Sequence, residues 1–222
     1  MYRAGVHPGA AQPRRGLARN RPQPAAGDLL PDRHCGVRVI IWINGAFGAG
    51  KSTLATGLMG ALPGAVTADP EAVGDLLRTT LRGHNRAARD YQDLPPWRSL
   101  TLAFVTALAD HTRGPVIVPM TVLDPVYATE LFTPLHRRPA PFHHLVLHTG
   151  PAELRARIEA SREYPGDLVR SEAARAFRRR RAGDYQQAAA GWMHAHGHVI
   201  DTSFLTPGQT LQAALHHLHT TD

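Results

Sequence analysis

Short apolar runs alternate along this chain with segments in which apolar residues recur every three or four positions. The runs occupy positions 37–43, 65–68, 116–120, 145–148 and 199–200, and their continuous apolar character is typical of strands buried on both faces. The periodic segments between them are typical of amphipathic helices. Strands that alternate with helices form a parallel sheet with helices on both faces. The pattern therefore predicts a three-layer α/β fold around five parallel strands.

Six of the periodic segments present an apolar face that we expect to pack against the sheet. The residues of these faces are Leu54, Leu58, Met59 and Leu62; Val73, Leu76, Leu77 and Leu81; Trp97, Leu100, Thr101, Phe104, Val105 and Leu108; Val126, Leu131 and Leu135; Leu154 and Ile158; and Leu211, Leu215 and Leu218. The last segment follows residues 206–209, whose Thr-Pro-Gly-Gln sequence has the pattern of a helix capping box.

The first predicted strand leads into a glycine-rich segment that matches G-x-x-x-x-G-K-[ST], the phosphate-binding loop. Its Lys51 is the only lysine beside 24 arginines, and an ammonium fits between the β- and γ-phosphates where a planar guanidinium does not. We expect ATP or GTP to bind here, with the Ser52 hydroxyl on Mg²⁺. The residues predicted to contact the nucleotide are Gly45, Ala46, Phe47, Gly48, Ala49, Gly50, Lys51, Ser52, Thr53 and, from a later helix, Arg157.

Asp69 follows the second predicted strand, at the edge of the sheet where ligands of parallel sheets bind. A carboxylate there suits the orientation or deprotonation of an acceptor hydroxyl. Asp69 also precedes Pro70, a typical start of a helix, so a capping role stays open. Residues 116–121 contain no acid, which disfavours motor ATPases and GTPases. It favours a small kinase that holds Mg²⁺ through Ser52, the phosphates and water, with Asp69 as a water-mediated ligand.

Arginines concentrate at 161–187, a segment that we expect to close over the triphosphate as a lid. Arg162 is predicted to stabilise charge on the transferred phosphoryl group, and Lys51 and Asp69 complete the catalytic set. The run 178–181 points all round a helix, so at most one or two of its arginines reach the site.

The predicted acceptor site draws on the segment 90–98, which combines aromatic, acidic and basic residues. Trp97 and Arg98 are its substrate-binding candidates, although Trp97 is equally suited to be the first core residue of a helix. Met120 and Thr121, at the end of the third strand, join Asp69 in the same site.

Charge is distributed unevenly along the 222 residues. Positions 1–36 hold six arginines and two aspartates, so this Pro/Gly/Arg-rich stretch carries +4 of the net charge of +7 and is predicted to be a disordered tail. The predicted domain at 37–222 carries only +3, which disfavours a large nucleic-acid surface. A basic arm for an anionic membrane or nucleic acid is the alternative for the tail.

The cysteine content, the hydropathy and the histidine spacing bear on the cellular compartment, on membrane spans and on metal sites. Cys35 is the only cysteine, no stretch reaches the ~18 apolar residues of a membrane span, and the start lacks a secretory signal, so we expect a cytoplasmic protein. The 14 histidines lack zinc spacing and are predicted at the surface, with His194, His196 and His198 on one face of a strand.

Several segments resemble the TmrB-type family of tunicamycin-resistance proteins. They are Ile40-Ile41-Trp42-Ile43-Asn44-Gly45-Ala46-Phe47-Gly48-Ala49-Gly50-Lys51-Ser52, Ala68-Asp69-Pro70-Glu71-Ala72-Val73-Gly74, Pro96-Trp97-Arg98 and Ile117-Val118-Pro119-Met120-Thr121. The resemblance covers about residues 38–205 and is weak across 161–198. It implies a P-loop kinase-like fold, ATP binding and nucleoside-antibiotic resistance. Chloramphenicol phosphotransferase and the zeta toxins are similar more distantly, and because zeta toxins phosphorylate a UDP-amino-sugar that tunicamycin mimics, the resemblance also implies a uridine-containing substrate.

Three functions agree with these features. The first is an ATP-dependent phosphotransferase that acts on a small molecule, in which Lys51 and Ser52 hold ATP·Mg²⁺, Asp69 orients the acceptor and Arg162 stabilises the transferring group. The second is an ATP-binding protein that sequesters the antibiotic, with the tail on a membrane surface. The third is a toxin-type or polynucleotide kinase.

Overall fold

The structure is a computed structural model that describes residues 38–221. The predictions made for positions 1–36, including the tail and Cys35, lie outside the described residues. The predicted first strand is observed from Ile40 onward.

Five parallel strands form one sheet, as the sequence predicted. They are β1 (Ile40–Gly45), β2 (Val66–Thr67), β3 (Val116–Pro119), β4 (Phe142–His148) and β5 (His198–Asp201). Their order across the sheet is β2-β3-β1-β4-β5, which places β1 at the centre. Because all five run in the same direction, the residues that follow β1, β2 and β3 share one edge of the sheet.

Helices connect the strands and cover both faces of the sheet. They are α1 (Lys51–Ala61), α2 (Pro70–Thr80), a 3₁₀ turn (Tyr91–Asp93), α3 (Pro95–Thr112), α4 (Pro125–His136), α5 (Pro151–Ala160), α6 (Leu168–Ala188), a π-helical turn (Ala189–Met193), α7 (His194–His196) and α8 (Pro207–Thr220). The capping box at Thr206 and Gln209 is present before α8, as predicted.

The central position of β1 in the sheet explains why its residues 40–43 are all apolar. Ile41 and Ile43 belong to a core cluster with residues of α1, α6 and α8, whereas Ile40 and Trp42 belong to a second cluster with residues of α3 and α4. Successive side chains of a strand point to opposite faces, so a strand covered on both sides is apolar at every position.

Four residues predicted to face the core are exposed. They are Met59, Leu76, Leu100 and Val126. In α2 the reason is visible: Gly74 is buried against the Tyr91 ring, which lies 2.6 Å from the place where a Cβ would be. The 3₁₀ turn therefore covers the Gly74 side of α2 and leaves Leu76 exposed to solvent. The spacing of apolar residues along α2 does not predict which side is covered.

The histidine predictions need two corrections. Of the three histidines predicted on one face of a strand, only His198 lies on a strand. His194 and His196 lie in α7, because the chain stays helical through the π turn until Gly197. His143 and His144 are buried in β4 instead of lying at the surface. Among residues 38–221, no helix is long and apolar enough to cross a membrane.

Candidate active site

The segment between β1 and α1 forms a tight loop that depends on glycine. Gly45 has φ of 137°, and a Cβ on it would lie 2.5 Å from the carbonyl oxygen of Leu147 in β4. Gly50 has φ of 99° and is the residue that caps α1, with open space where a side chain would be. Only glycine adopts such a backbone without strain, so the N-terminus of α1 is left free to face an anion.

Lys51 is a partly buried cation without an ion-pair partner among the described residues. Its ammonium donates to the carbonyl oxygens of Gly45, at 3.2 Å, and Ala46, at 2.9 Å, and no described carboxylate forms an ion pair with it. Burial lowers its pKa to about 7, the negative charge of Glu71 raises that pKa, and the positive charge of Arg178 lowers it. Keeping the Lys51 ammonium charged in this place costs free energy, and a bound polyanion such as a triphosphate would lower that cost.

Ser52 occupies the first turn of α1, and its side chain is exposed at the loop. The described residues contain no group of three or more His, Cys, Asp or Glu side chains that could hold a metal ion by themselves. A magnesium ion here would therefore take the Ser52 hydroxyl together with phosphate oxygens and water, which are ligands that Mg²⁺ accepts.

Asp69 caps α2 and keeps one oxygen available. Its Oδ1 accepts a hydrogen bond of 2.9 Å from the backbone N–H of Glu71, and no described residue donates to Oδ2. Asp69 follows β2, two strands from β1, so the spacing of strands puts it about 10 Å from the root of the phosphate loop. Glu71, which the sequence analysis did not single out, is coupled to both Asp69 and Lys51: burial and the Asp69 charge raise its pKa.

The segment after β3 is tied to the phosphate loop through Asn44. The Asn44 amide donates to the Val122 carbonyl, and its Oδ1 accepts from the N–H groups of Val122, at 3.0 Å, and Gly45, at 2.9 Å. Thr121 Oγ1 donates to the Gly45 carbonyl at 2.8 Å. Thr121 and Met120 are buried, so both lie beneath the rim and support it.

Trp97 and Arg98 require a correction, since neither side chain is presented to a ligand. Trp97 is fully buried and donates to the Pro70 carbonyl, which fixes the start of α2 next to Asp69. Arg98 is buried, pairs with Glu130 at 2.6 Å and donates to the Gln92 carbonyl. The donor groups of both side chains are used within the protein, so both residues support the start of α2 and the 3₁₀ turn from inside.

Helix α6 packs over the phosphate loop, and the positions of its arginines differ from the prediction. Phe177 contacts the Phe47 ring with centroids 5.3 Å apart. Arg178 pairs with Glu163, burial lowers its pKa, and its charge acts on Lys51. Arg162 lies in the exposed segment before α6 without a described partner. Arg178 is therefore the arginine of α6 whose charge reaches Lys51 of the phosphate loop. The sequence alone does not distinguish it from the other arginines of the run 178–181.

Two cavities flank this arrangement. The smaller, of about 320 Å³, adjoins the phosphate loop and is bounded by Thr53, Arg157 and Thr202, together with Leu205. Arg157 donates to the Thr202 carbonyl at 2.6 Å, so it both forms a wall of this cavity and fastens the loop after β5. A flat guanidinium beside an apolar side chain suits a nucleotide base.

The larger cavity, of about 590 Å³, lies between the 3₁₀ turn, the segment after β3 and the end of α6. We call it the acceptor cleft. Its lining residues are Asp90, Gln92, Asp93, Leu123, Asp124, Pro125, Tyr127, Arg181, Asp184, Gln187, Ala188, Gly191 and Trp192. Gln92 connects it to the phosphate loop, because its Nε2 donates to the carbonyl of Thr121, whose hydroxyl in turn binds Gly45.

A protein-family model and several solved structures are similar to this chain. A family model described as an AAA domain matches residues 40–184. The tunicamycin resistance protein of Deinococcus radiodurans has a similar structure, with 27% identity, a TM-score of 0.60 and coverage of 82% of this chain and 94% of that one. No curated protein matches the sequence significantly.

Two kinases with lower identity share the fold. A sugar kinase from Janibacter sp. HTCC2649 is 21% identical with a TM-score of 0.52, over 82% of this chain and 95% of that one. Shikimate kinase from Bacteroides thetaiotaomicron is 15% identical with a TM-score of 0.53, over 82% and 98%. With its phosphate loop, parallel sheet and matched residues 40–184, this chain belongs to the AAA-domain family and has the P-loop kinase-like fold.

Proposed function

We propose that this protein is an ATP-dependent phosphotransferase whose acceptor is a small hydroxylated molecule, a nucleoside-type antibiotic of the tunicamycin kind, and that the modification gives resistance. The observation that carries the proposal is the pairing of two sites on one rim. Lys51 is a cation at the phosphate loop that has no ion-pair partner among the described residues. An open cleft lined by Gln92 is linked to that loop by hydrogen bonds through Thr121. The structural similarity to a tunicamycin resistance protein supports the class of acceptor.

The described residues supply the groups that such a reaction needs. The acceptor hydroxyl oxygen attacks the γ-phosphorus, its proton passes to Asp69 Oδ2, and the bond from that phosphorus to the β–γ bridging oxygen breaks, so that ADP leaves. Lys51 and the N-terminus of α1 hold the phosphates, and Arg178 stabilises charge on the transferred group, with Arg162 as a second candidate. A magnesium ion on Ser52 would neutralise phosphate charge.

ATP is the nucleotide that we propose, with Arg157 beside its base. We also propose a cytoplasmic site of action, which the use of ATP and the single cysteine support, with membrane contact through residues 1–36 as the alternative.

The test is a product assay. The protein is incubated with γ-labelled ATP and a panel of uridine-type antibiotics, and products are analysed by mass. Transfer of one phosphoryl group to a panel member is the expected result. ATP-dependent binding of the antibiotic without a gain in its mass would contradict the proposal and favour sequestration.

Asp69→Asn separates chemistry from helix capping. Asparagine caps a helix as well as aspartate does, so we expect the variant to keep its thermal stability and ATP affinity. Transfer should fall by about 10²-fold or more, because the amide accepts no proton. Asp75→Asn, also on α2 but paired with Arg78 at the surface, is the matched control and should retain activity. Equal activity of the two variants would show that Asp69 only caps α2.

A further inference from the structure

We infer that the acceptor cleft is selective by charge: it binds hydroxyl-rich acceptors that carry no negative charge and rejects phosphorylated ones. The inference deepens the proposed function and rests on it. It narrows the acceptor to the unphosphorylated nucleoside or glycoside class, and it excludes nucleotides and nucleotide sugars from this cleft.

Four carboxylates line the cleft against one cation. They are Asp90, Asp93, Asp124 and Asp184, with Arg181 opposite. The positive charge of Arg181 is directed to two of these carboxylates and not to a ligand. Its guanidinium pairs with Asp184 at 3.0 Å and lies 3.8 Å from Asp90. The lining therefore carries a net charge of −3.

The cleft carboxylates use one oxygen internally and keep the other. Asp93 Oδ1 accepts from the Tyr127 hydroxyl at 3.0 Å, and Asp124 Oδ1 caps α4 through the N–H of Val126. Their Oδ2 atoms, and Oδ1 of Asp184, accept no hydrogen bond from a described residue. Ionised carboxylates are acceptors only, so the open positions call for hydroxyl or amine donors on the ligand.

Gln92 gives an independent sign of a donor-bearing ligand. Its side chain is more than nine-tenths buried, and its Nε2 is fixed by the Thr121 carbonyl at 2.8 Å. No described residue donates to its Oε1, although Gln92 lines the cleft. This oxygen is not among the fully buried atoms without a partner, so it is accessible, and a ligand donor in the cleft or water can bind it. Gln92 lies on the side of the cleft that is linked through Thr121 to Gly45 of the phosphate loop, which is the side where an acceptor hydroxyl is needed.

The remaining wall suits a ring. Tyr127 and Trp192 both line the cleft, and Trp192 is held by a 2.9 Å hydrogen bond from its Nε1 to the Leu123 carbonyl. A volume of about 590 Å³ falls in the range of sites for drug-sized ligands. A ring with several hydroxyls fits these contacts, whereas a phosphate placed among three uncompensated negative charges is repelled.

Intrinsic fluorescence gives a test that does not depend on phosphoryl transfer. Of the three tryptophans, Trp42 and Trp97 are fully buried in the core and Trp192 lines the cleft, so quenching reports binding there, and Trp192→Phe should abolish it. With a non-hydrolysable ATP analogue saturating the donor site, we would titrate uridine against uridine 5′-monophosphate and tunicamycin against UDP-N-acetylglucosamine. In each pair the uncharged member should bind at least about tenfold more tightly.

The matched variants change net charge equally. Asp93→Asn/Asp184→Asn should reduce the preference within each pair by at least about fivefold, because it removes two cleft charges and frees Arg181. Asp110→Asn/Glu159→Gln removes two surface carboxylates outside the cleft and should leave the preference unchanged. Equal or tighter binding of the phosphorylated members, no binding of either uncharged member, or the same preference in both variants would overturn the inference. Uncharged binding without any transfer would uphold it and contradict the phosphotransferase instead.

Discussion

The phosphate loop and the acceptor cleft share one rim of the sheet but are built in opposite ways. The loop is a single stretch of chain, 45–53, whose shape depends on glycines and on the start of α1. The cleft is assembled from three stretches that are distant in sequence: the 3₁₀ turn, the segment 123–127 and the region 181–192. A loop formed by consecutive residues can be recognised as a sequence motif, whereas a cleft formed by distant segments can be recognised only from the folded structure.

The two sites also differ in charge. Lys51 and Arg178 make the loop cationic, whereas the cleft has a net negative lining. Such a division sorts the two substrates by their charge, because a triphosphate is attracted to one site and repelled by the other. This rim is therefore organised around two ligands of unlike charge, and three changes to the protein or its solution test that organisation.

The largest effect is expected for Lys51→Met. Removing the one cation inside the loop should lower kcat/KM for transfer at least about 10³-fold, because its charge acts on the phosphates in a water-poor site. Thermal stability should be unchanged or higher, since the charge of Glu71 offsets the burial of this cation only in part. A steady-state assay combined with a thermal melt measures both.

Lys51→Arg is the control that keeps the charge. A guanidinium does not fit between two phosphates as an ammonium does, so activity should remain low although net charge is unchanged. Restored activity in Lys51→Arg, or a large loss of stability in Lys51→Met, would show that the loop does not act through a compact point charge.

Two adjacent arginines of α6 provide a smaller and sharper test. Arg178→Gln should lower kcat by about 10²-fold, because Arg178 lies over the loop and acts on Lys51. Arg179→Gln should change kcat by less than about threefold, because Arg179 is exposed and pairs with Glu159 and Glu172 on the outer face. Comparable losses in both variants would mean that α6 contributes only general positive charge.

Most of the fold was predictable because its signals are local. The five strands, the start of α1 after the glycine loop and the capping box before α8 each depend on residues that are neighbours in sequence. The nucleotide loop was predictable for the same reason. The exposure of Leu76 was not, since it depends on Tyr91 packing against Gly74, 17 positions further along the chain.

The acceptor side was predicted only in part. The segment 90–98 contributes Gln92 and Asp93 to the lining of the cleft, whereas Trp97 and Arg98 turn inward. Which side of a short turn faces a cavity is decided by the partners it meets, here Pro70 and Glu130. The role of Asn44 had a signal in the sequence, because a polar residue inside an otherwise apolar strand commonly binds neighbouring backbone.

Acidification gives the smallest of the three effects and acts on the cleft wall. His144 is buried in β4, stacks on Trp192 and contacts Asn44 Nδ2 and the His196 carbonyl, both at 3.3 Å. Burial, with a smaller contribution from the charges of His136 and His196, lowers its pKa from an ordinary value of 6.5 to about 4, although the hydrogen bond to the His196 carbonyl acts in the opposite direction. A lowered pKa means that the unfolded chain binds the proton first, so stability is full above pH 6.5 and is lost as the pH falls toward 4.

Between pH 7.5 and pH 5 this one group should reduce the free energy of unfolding by about 2 kcal/mol, which urea titration at the two pH values measures. The whole protein should lose more, since burial also lowers the pKa of His217 to about 4. His144→Asn should therefore lose about 2 kcal/mol less than the unmodified protein over the same interval, whereas exposed His216→Asn should behave as the unmodified protein does. If His144→Asn keeps the full pH dependence, the proton is taken up elsewhere and the wall behind Trp192 is not the acid-sensitive part of the rim.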